Sequence, residues 1–426
     1  MKRLFVLVCL LLCAGNVAAQ NLVLTNARIL DGKGGVIERG SVVVRDGAIV
    51  TVAPGTASAA GARVIDVKGM TVLPGFVDAH RHPIGGSADW LKTEAPARMQ
   101  EFLDAGFTTV LSAGDDPTTA VALREQIAKG AIKGPRLIVL GRAPTAGAAA
   151  PPPAAGGAGA APPAAGRGGG GRGDPARNVA LRTPPATPPA AVPPDQTRAT
   201  VASLAKAGVD GIKTVIQVSP GGPEKATLTL IVQEAKRVNL PVYTHAVSVD
   251  DTIAAVESGV QSLAHTPHIG QLSAAQTQMV AKAGIPMMST LGVFVPHFDA
   301  SNTPLFRDRL PFPWETLSSG GQGPVNARLL WEAGITYGYG TDTTWLPRES
   351  LALELRPLSL TFSPKDIVSI LTSHAAAAAL KRDRGTLEPG KLADLVVLNG
   401  DPLVNVSNLL NVAMVIKGGE VVVDKR

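Results

Sequence analysis

The chain has 426 residues, 45% of them hydrophobic and 4% aromatic, with 40 basic side chains against 34 acidic ones and a formal net charge of +6. That length suffices for one large core and a smaller one. The basic excess is dispersed, with no stripe of Lys and Arg interleaved with aromatics, which excludes a nucleic-acid-binding role; two cysteines, Cys9 and Cys13, exclude a disulfide framework.

Residues 1–19 read as a secretory signal. Lys2 and Arg3 make a positive n-region, Leu4 to Cys13 an apolar stretch, and Val17, Ala18 and Ala19 a small-residue cleavage site before Gln20. A periplasmic or secreted protein is expected, free of thiols once the leader is cleaved near Ala19. Neither cysteine stands in a lipoprotein cleavage context, and the leader is too short to span a bilayer. No later run is apolar enough to cross one, so no membrane anchor is expected.

Residues 20–74 alternate in short strand-like runs, Leu22–Thr25, Ser41–Arg45, Ala48–Val52 and Arg63–Asp66, with Asp31-Gly32 and Asp46-Gly47 as hairpin signals. Residues 385–426 behave alike, with strands predicted at Ala393–Leu398, Val412–Ile416 and Glu420–Val423. Two β-rich ends around a different middle predict one small β-sandwich built from both termini. The middle, residues 75–384, holds eight strand candidates separated by helix-like stretches: Gly75–His80, Thr108–Ala113, Arg136–Gly141, Gly211–Gln217, Val242–Val247, Ser262–Pro267, Pro286–Leu291 and Thr336–Asp342. This α/β pattern predicts a (β/α)8 TIM barrel, whose active site lies at the C-terminal ends of its strands. Residues 143–198 break the rhythm. Their Ala, Pro and Gly runs, such as Pro151–Pro153 and Gly168–Gly171, cannot bury enough apolar surface, so a disordered insert is expected on the active face.

The first barrel strand ends in His80, Arg81 and His82. Strand side chains alternate, so the two histidines point the same way, about 7 Å apart along the backbone. Two imidazoles at that spacing can share a cation, and zinc favours nitrogen ligands. Lys213, His245, His265 and Asp342 fall on later strands, at the ends that line a barrel mouth.

With these features the chain resembles the amidohydrolase superfamily, in particular its imidazolonepropionase-like and Xaa-Pro dipeptidase-like branch. The stretch Gly385 to Leu398 is similar to that family's return into the sandwich, and the resemblance covers the chain after the leader apart from the insert. It implies two divalent metal ions, with zinc expected. His80 and His82 with Asp342 would hold one, His245 and His265 the other, and Lys213 would bridge them as a carbamate formed with carbon dioxide. The lysine role has a physical rationale: desolvation and nearby positive charge lower the lysine pKa, leaving an amine able to take up carbon dioxide. Asp342 would also take a proton from the attacking water and pass it to the leaving nitrogen. Two departures bear on substrate identity: Leu263 to Thr266 reads Leu-Ala-His-Thr, where many relatives carry an acidic residue before the histidine and glycine after it, and the insert replaces the family's loop after strand three.

His268, Arg142, Tyr243 and Trp345 are candidates for substrate contact, whereas His297 and His374 read as structural or surface residues. The chain thus reads as an exported binuclear metal-dependent amidohydrolase cleaving an amide C–N bond of a dipeptide or N-acyl amino acid. Three alternatives remain: a mononuclear heterocycle deaminase, a cyclic-amide hydrolase and a non-catalytic binding scaffold. The partner expected is a small amide or peptide, and a homo-oligomer is compatible with every reading.

Overall fold

The computed structural model describes residues 21–87, 89–145, 188–293 and 317–426. The leader, most of the Pro/Gly/Ala-rich insert and His297 lie outside the described residues.

The N-terminal strands β1 (Leu22–Leu30), β2 (Val36–Arg45), β3 (Ala48–Pro54), β4 (Arg63–Asp66) and β5 (Thr71–Pro74) join one mixed sheet. Asp46 and Gly47 turn β2 into β3 with φ of 50° and 76°. Positive φ at both central positions is what a two-residue hairpin matched to strand twist requires. β5 pairs parallel with β1 on one side and antiparallel with β14 (Leu395–Leu398) on the other. The C-terminal strands β14, β15 (Val412–Lys417) and β16 (Glu420–Asp424) therefore extend the sheet in the order β16-β15-β14-β5-β1-β2-β3. The sheet curls back on itself: Ile49 N–H donates to the Lys391 carbonyl at 2.8 Å and Ala393 N–H to that of Gly47 at 2.8 Å. A core of its own, including Leu22, Leu24, Val42, Val72, Val397 and Met414, lies inside.

The second sheet is the barrel, with eight parallel strands in chain order: β6 (Phe76–Arg81), β7 (Phe107–Ala113), β8 (Arg136–Arg142), β9 (Gly211–Val215), β10 (Val242–His245), β11 (Ser262–Leu263), β12 (Met287–Met288) and β13 (Tyr337–Gly338). Individual backbone bonds close it, Ala79 N–H to the Tyr339 carbonyl at 3.1 Å, Thr341 N–H to that of His80 at 3.0 Å and His82 N–H to that of Thr343 at 3.3 Å. The last three strands are much shorter than the sequence predicts. The chain leaves the extended region at Thr290 (φ 44°) and Asp342 (φ 52°), and pairing beyond the ladders continues as isolated bonds such as Ser289 N–H to the Gly338 carbonyl, 2.8 Å. The helix Ala375–Ala378 plugs the opposite end of the barrel, where Ser262 Oγ and Tyr243 Oη donate to the carbonyls of Ala378 and Ala379. Among the described residues, that plug leaves the C-terminal strand ends as the open end of the barrel.

Candidate metal centre

Alternation along β6 sends His80 and His82 into the mouth and Arg81 to the other side. The buried His80 ring is fixed by Nδ1–H donating to the Ala264 carbonyl at 2.8 Å, and the half-buried His82 ring by Nδ1–H donating to Asp115 Oδ1 at 3.0 Å. A neutral ring that donates through Nδ1 presents a bare Nε2, the form that ligates metals. Both Nε2 atoms converge on Asp342 Oδ1, His80 at 3.3 Å and His82 at 3.0 Å. Ligand atoms of His80, His82 and Asp342 lie within 4.8 Å of one another.

Three further side chains close around this group. Lys213 Nζ, from β9, sits 3.1 Å from His80 Nε2. His265 follows β11, its Nδ1 at 2.8 Å from Thr290 Oγ1, its Nε2 3.9 Å from Asp342 Oδ2 and its ring centroid 4.7 Å from that of His80. His245 ends β10 with its ring centroid 4.2 Å from that of His265, and its buried Nε2 has no hydrogen-bond partner among the described residues. The structure thus gathers all six residues that the sequence singles out.

Charge in this cluster is finely opposed. Burial is the largest influence on every member. It pushes His245 down to about 3, with Lys213 adding to the effect, and holds His80 and His265 well below the ordinary imidazole range. Lys213 falls to about 7 through burial, aided by Arg142 and opposed by Asp342. Asp342 would be raised by burial, but His80, His82 and His265 hold its carboxyl well below the usual range. His82 alone rises, to about 9, because Asp115 and Asp342 outweigh its burial. Neutral imidazoles at His80, His245 and His265, an ionised carboxylate and a readily deprotonated amine form a donor set suited to a cation, and a cation binding there would displace the proton that Asp115 and Asp342 hold on His82.

Asp115 is a partner of the cluster that the sequence reading misses. It follows β7, accepts from Ser112 Oγ at 2.6 Å and orients His82. The available signal is an acidic pair, Asp115 and Asp116, just past the C-terminal end of a barrel strand. Arg81 is missed as well. Its wholly buried guanidinium donates to Thr341 Oγ1 at 3.0 Å, to Thr343 Oγ1 and to the Trp345 carbonyl, and lies 5.3 Å from the Phe102 ring centroid. Arg98 reaches the same Trp345 carbonyl at 2.5 Å and that of Thr344. Two guanidinium groups therefore hold the segment carrying Asp342, whose left-handed backbone costs a non-glycine residue about 1–2 kcal/mol.

Of the substrate-contact candidates, Arg142 ends β8 beside Lys213 in register, and its Nε donates to the Gly114 carbonyl at 2.5 Å. His268 lies buried on the loop after β11. Trp345 is half-buried and supplies its carbonyl to the two arginines. Tyr243 requires correction. It shares the face of His245 but sits one layer deeper, 2% exposed, with its hydroxyl bound to the plug at Ala379, so it fills the barrel floor and does not reach the mouth. His374 packs its ring 5.2 Å from that of Trp331, away from the cluster.

A barrel with metal-binding side chains at its mouth and a curled sheet assembled from both ends of the chain defines a class of hydrolase. The family model described as Amidohydrolase family matches residues 71–422, and the chain belongs to that family of metal-dependent hydrolases acting on carbon–nitrogen bonds. It is 26% identical over 402 residues to an imidazolonepropionase of Salinispora tropica, covering 88% of this chain and 89% of the relative. A shorter match, 33% over 110 residues, joins 26% of this chain to 21% of an N-acyl-D-aspartate deacylase of Alcaligenes xylosoxydans. Among solved structures, a Xaa-Pro dipeptidase with bound methionine superimposes with a TM-score of 0.72 at 23% identity, covering 94% of this chain and 99% of that one.

Proposed function

We propose that the protein is an exported binuclear amidohydrolase that cleaves the amide C–N bond of a dipeptide or N-acyl amino acid. The observation that carries the reading is the convergence of His80 Nε2 and His82 Nε2 on one carboxylate oxygen of Asp342, with Lys213, His245 and His265 packed against them. The residues fit two cations. His80, His82 and Asp342 would hold one, and a buried His245 nitrogen without a hydrogen-bond partner among the described residues, beside His265, suits the other. Lys213, held near neutrality by burial, is an amine for part of the time at neutral pH, and its carbamate would supply the bridging negative charge. A mononuclear deaminase leaves that lysine without a task.

Divalent metal ions supply Lewis acidity and a water acidified towards neutral pH. The chain's own residues do the rest. Asp342, kept ionised by three histidines, accepts the proton of the attacking water and delivers it to the leaving nitrogen. Asp115 keeps the His82 proton on Nδ1, and the arginine pair fixes the Asp342 backbone so that one carboxylate serves both tasks. Export rests on the leader composition of residues 1–19.

Elemental mass spectrometry on protein purified without chelators, beside Lys213→Ala, tests the reading. A two-metal site predicts about two ions per chain, falling in the variant, together with turnover of dipeptides or N-acyl amino acids. One ion per chain, unchanged in the variant, would instead support the deaminase. A chain that binds no metal even with added bicarbonate would refute the proposal.

A further inference from the structure

The His265 ring is held from behind by Thr290, whose Oγ1 lies 2.8 Å from Nδ1. Both residues are fully buried, so water does not compete for this bond. Thr290 stands just past the end of β12 in a left-handed conformation, φ 44°, that a β-branched side chain rarely adopts. Strain of this kind persists only where the surrounding structure over-determines it, and it concentrates at functional sites.

The group that over-determines it is Glu354, on the helix Pro347–Thr361 that follows β13. Its carboxyl, buried with the rest of the side chain, gathers the turn on both sides of Thr290. Oε1 accepts Leu291 N–H at 2.8 Å, Oε2 accepts Gly292 N–H at 2.6 Å, and the Ser289 hydroxyl hydrogen-bonds to it as well. Two successive amides closing on one carboxyl fix the backbone after Thr290. The bond from Thr290 N–H to the Gly340 carbonyl, 3.0 Å, fixes it before. Gly292 makes room for this approach, since a Cβ there would meet Glu354 Oε2 at 2.9 Å and the Leu353 side chain at 3.0 Å. We infer that Glu354 and Thr290 are positioning residues for the metal centre: Glu354 holds the turn, the turn aims the Thr290 hydroxyl, and the hydroxyl sets the rotation of the His265 ring. With Nδ1 engaged in this way, Nε2 faces the cluster, 3.9 Å from Asp342 Oδ2. The inference rests on the reading of His265 as a metal ligand, and it traces the support of that ligand to a carboxyl on the outer ring of helices.

Nuclear magnetic resonance of the histidine-labelled, metal-free protein tests the path, with circular dichroism to verify folding. Thr290→Val keeps the shape of the side chain and removes the hydroxyl, Thr290→Ser keeps the hydroxyl, and Glu354→Gln leaves one of the two amides without an acceptor. Thr290→Val and Glu354→Gln should both shift the His265 ring signals while leaving in place those of His374, which packs on Trp331 away from the cluster. Thr290→Ser should keep the native signals. If Glu354→Gln does not fold, Gly292→Ala, which presses the carboxyl away from the turn, takes its place. Chelator competition on the zinc-loaded protein gives the second measurement: Thr290→Val and Glu354→Gln should weaken one ion by about tenfold, while the ion held by His80, His82 and Asp342 keeps its affinity. Unchanged His265 signals in Glu354→Gln or Gly292→Ala would overturn the role of Glu354, and unchanged signals in Thr290→Val that of Thr290. Equal weakening of both ions would also overturn the inference, because it would reduce the pair to general support of the fold. The ring signals need no metal, so a failure here is separate from a failure of the two-metal reading, which the ion count of the native protein decides.

Discussion

Asp115 offers a direct test of how the cluster is organised, because it touches His82 and no other member of the group. Its carboxylate receives His82 Nδ1–H at 3.0 Å and Ser112 Oγ–H at 2.6 Å, in a position where the side chain is only 11% exposed. Outer partners of metal-ligating histidines typically contribute 10- to 100-fold in metal affinity, or about 1.4–2.7 kcal/mol. The Asp115→Asn variant keeps an oxygen for the imidazole but loses the charge that raises His82 towards 9, so its effect belongs at the low end, about tenfold. Asp115→Ala removes the acceptor as well and belongs at the high end, about 100-fold. Competition with a fluorescent chelator measures both, and circular dichroism confirms that the fold survives. A folded Asp115→Ala protein retaining its metal with native affinity would refute the idea that this carboxylate orients His82.

Other perturbations separate roles that lie close together in space. Asp342→Asn should lower kcat by about 10²–10⁴, the usual worth of a positioned proton carrier, which steady-state assays on a hydrolysed amide would show. Tyr243→Phe should cost about 1 kcal/mol of stability, one buried hydrogen bond to Ala379, without altering the ranking of substrates by kcat/KM. Glu354 gives a pH test. Burial raises its carboxyl from 4.5 to about 7, against hydrogen bonds from Ser289, Gly292 and Leu291. The folded state therefore binds this proton more tightly than the unfolded state. The stabilisation is fully present below pH 4.5 and is lost as pH rises through about 7, about 3 kcal/mol in all, at about 1.4 kcal/mol for each pKa unit. Urea unfolding should accordingly show the native protein losing stability over that range relative to Glu354→Gln, whose side chain does not titrate; a constant difference would contradict the assignment.

The parts of this centre that sequence can reveal are those set by position along a strand. His80 and His82 announce themselves through alternation, and Lys213, His245, His265 and Asp342 through their places at strand ends. Asp115, Arg81 and Arg98 act through contacts between segments remote in sequence; Arg81 reaches Trp345 across 264 residues, and no local pattern encodes such a contact. Tyr243 shows the limit of the alternation rule, which gives the face of a strand but not the depth within the barrel. The short ladders of β12 and β13 have a related cause. Their apolar runs read as long strands, but left-handed residues at Thr290 and Asp342 turn the chain out of the extended region, a conformation that hydrophobic pattern does not report.

The seam of the barrel gives the metal centre a second meaning. β6 and β13 meet through scattered hydrogen bonds, and His82 and Asp342 face each other there across 260 residues of chain. Contacts between segments so distant in sequence carry a large entropic cost of ring closure and form late in folding. A cation gripped by ligands from both sides would act as a clasp on the final closure, so the loaded centre would report that the whole barrel has come round.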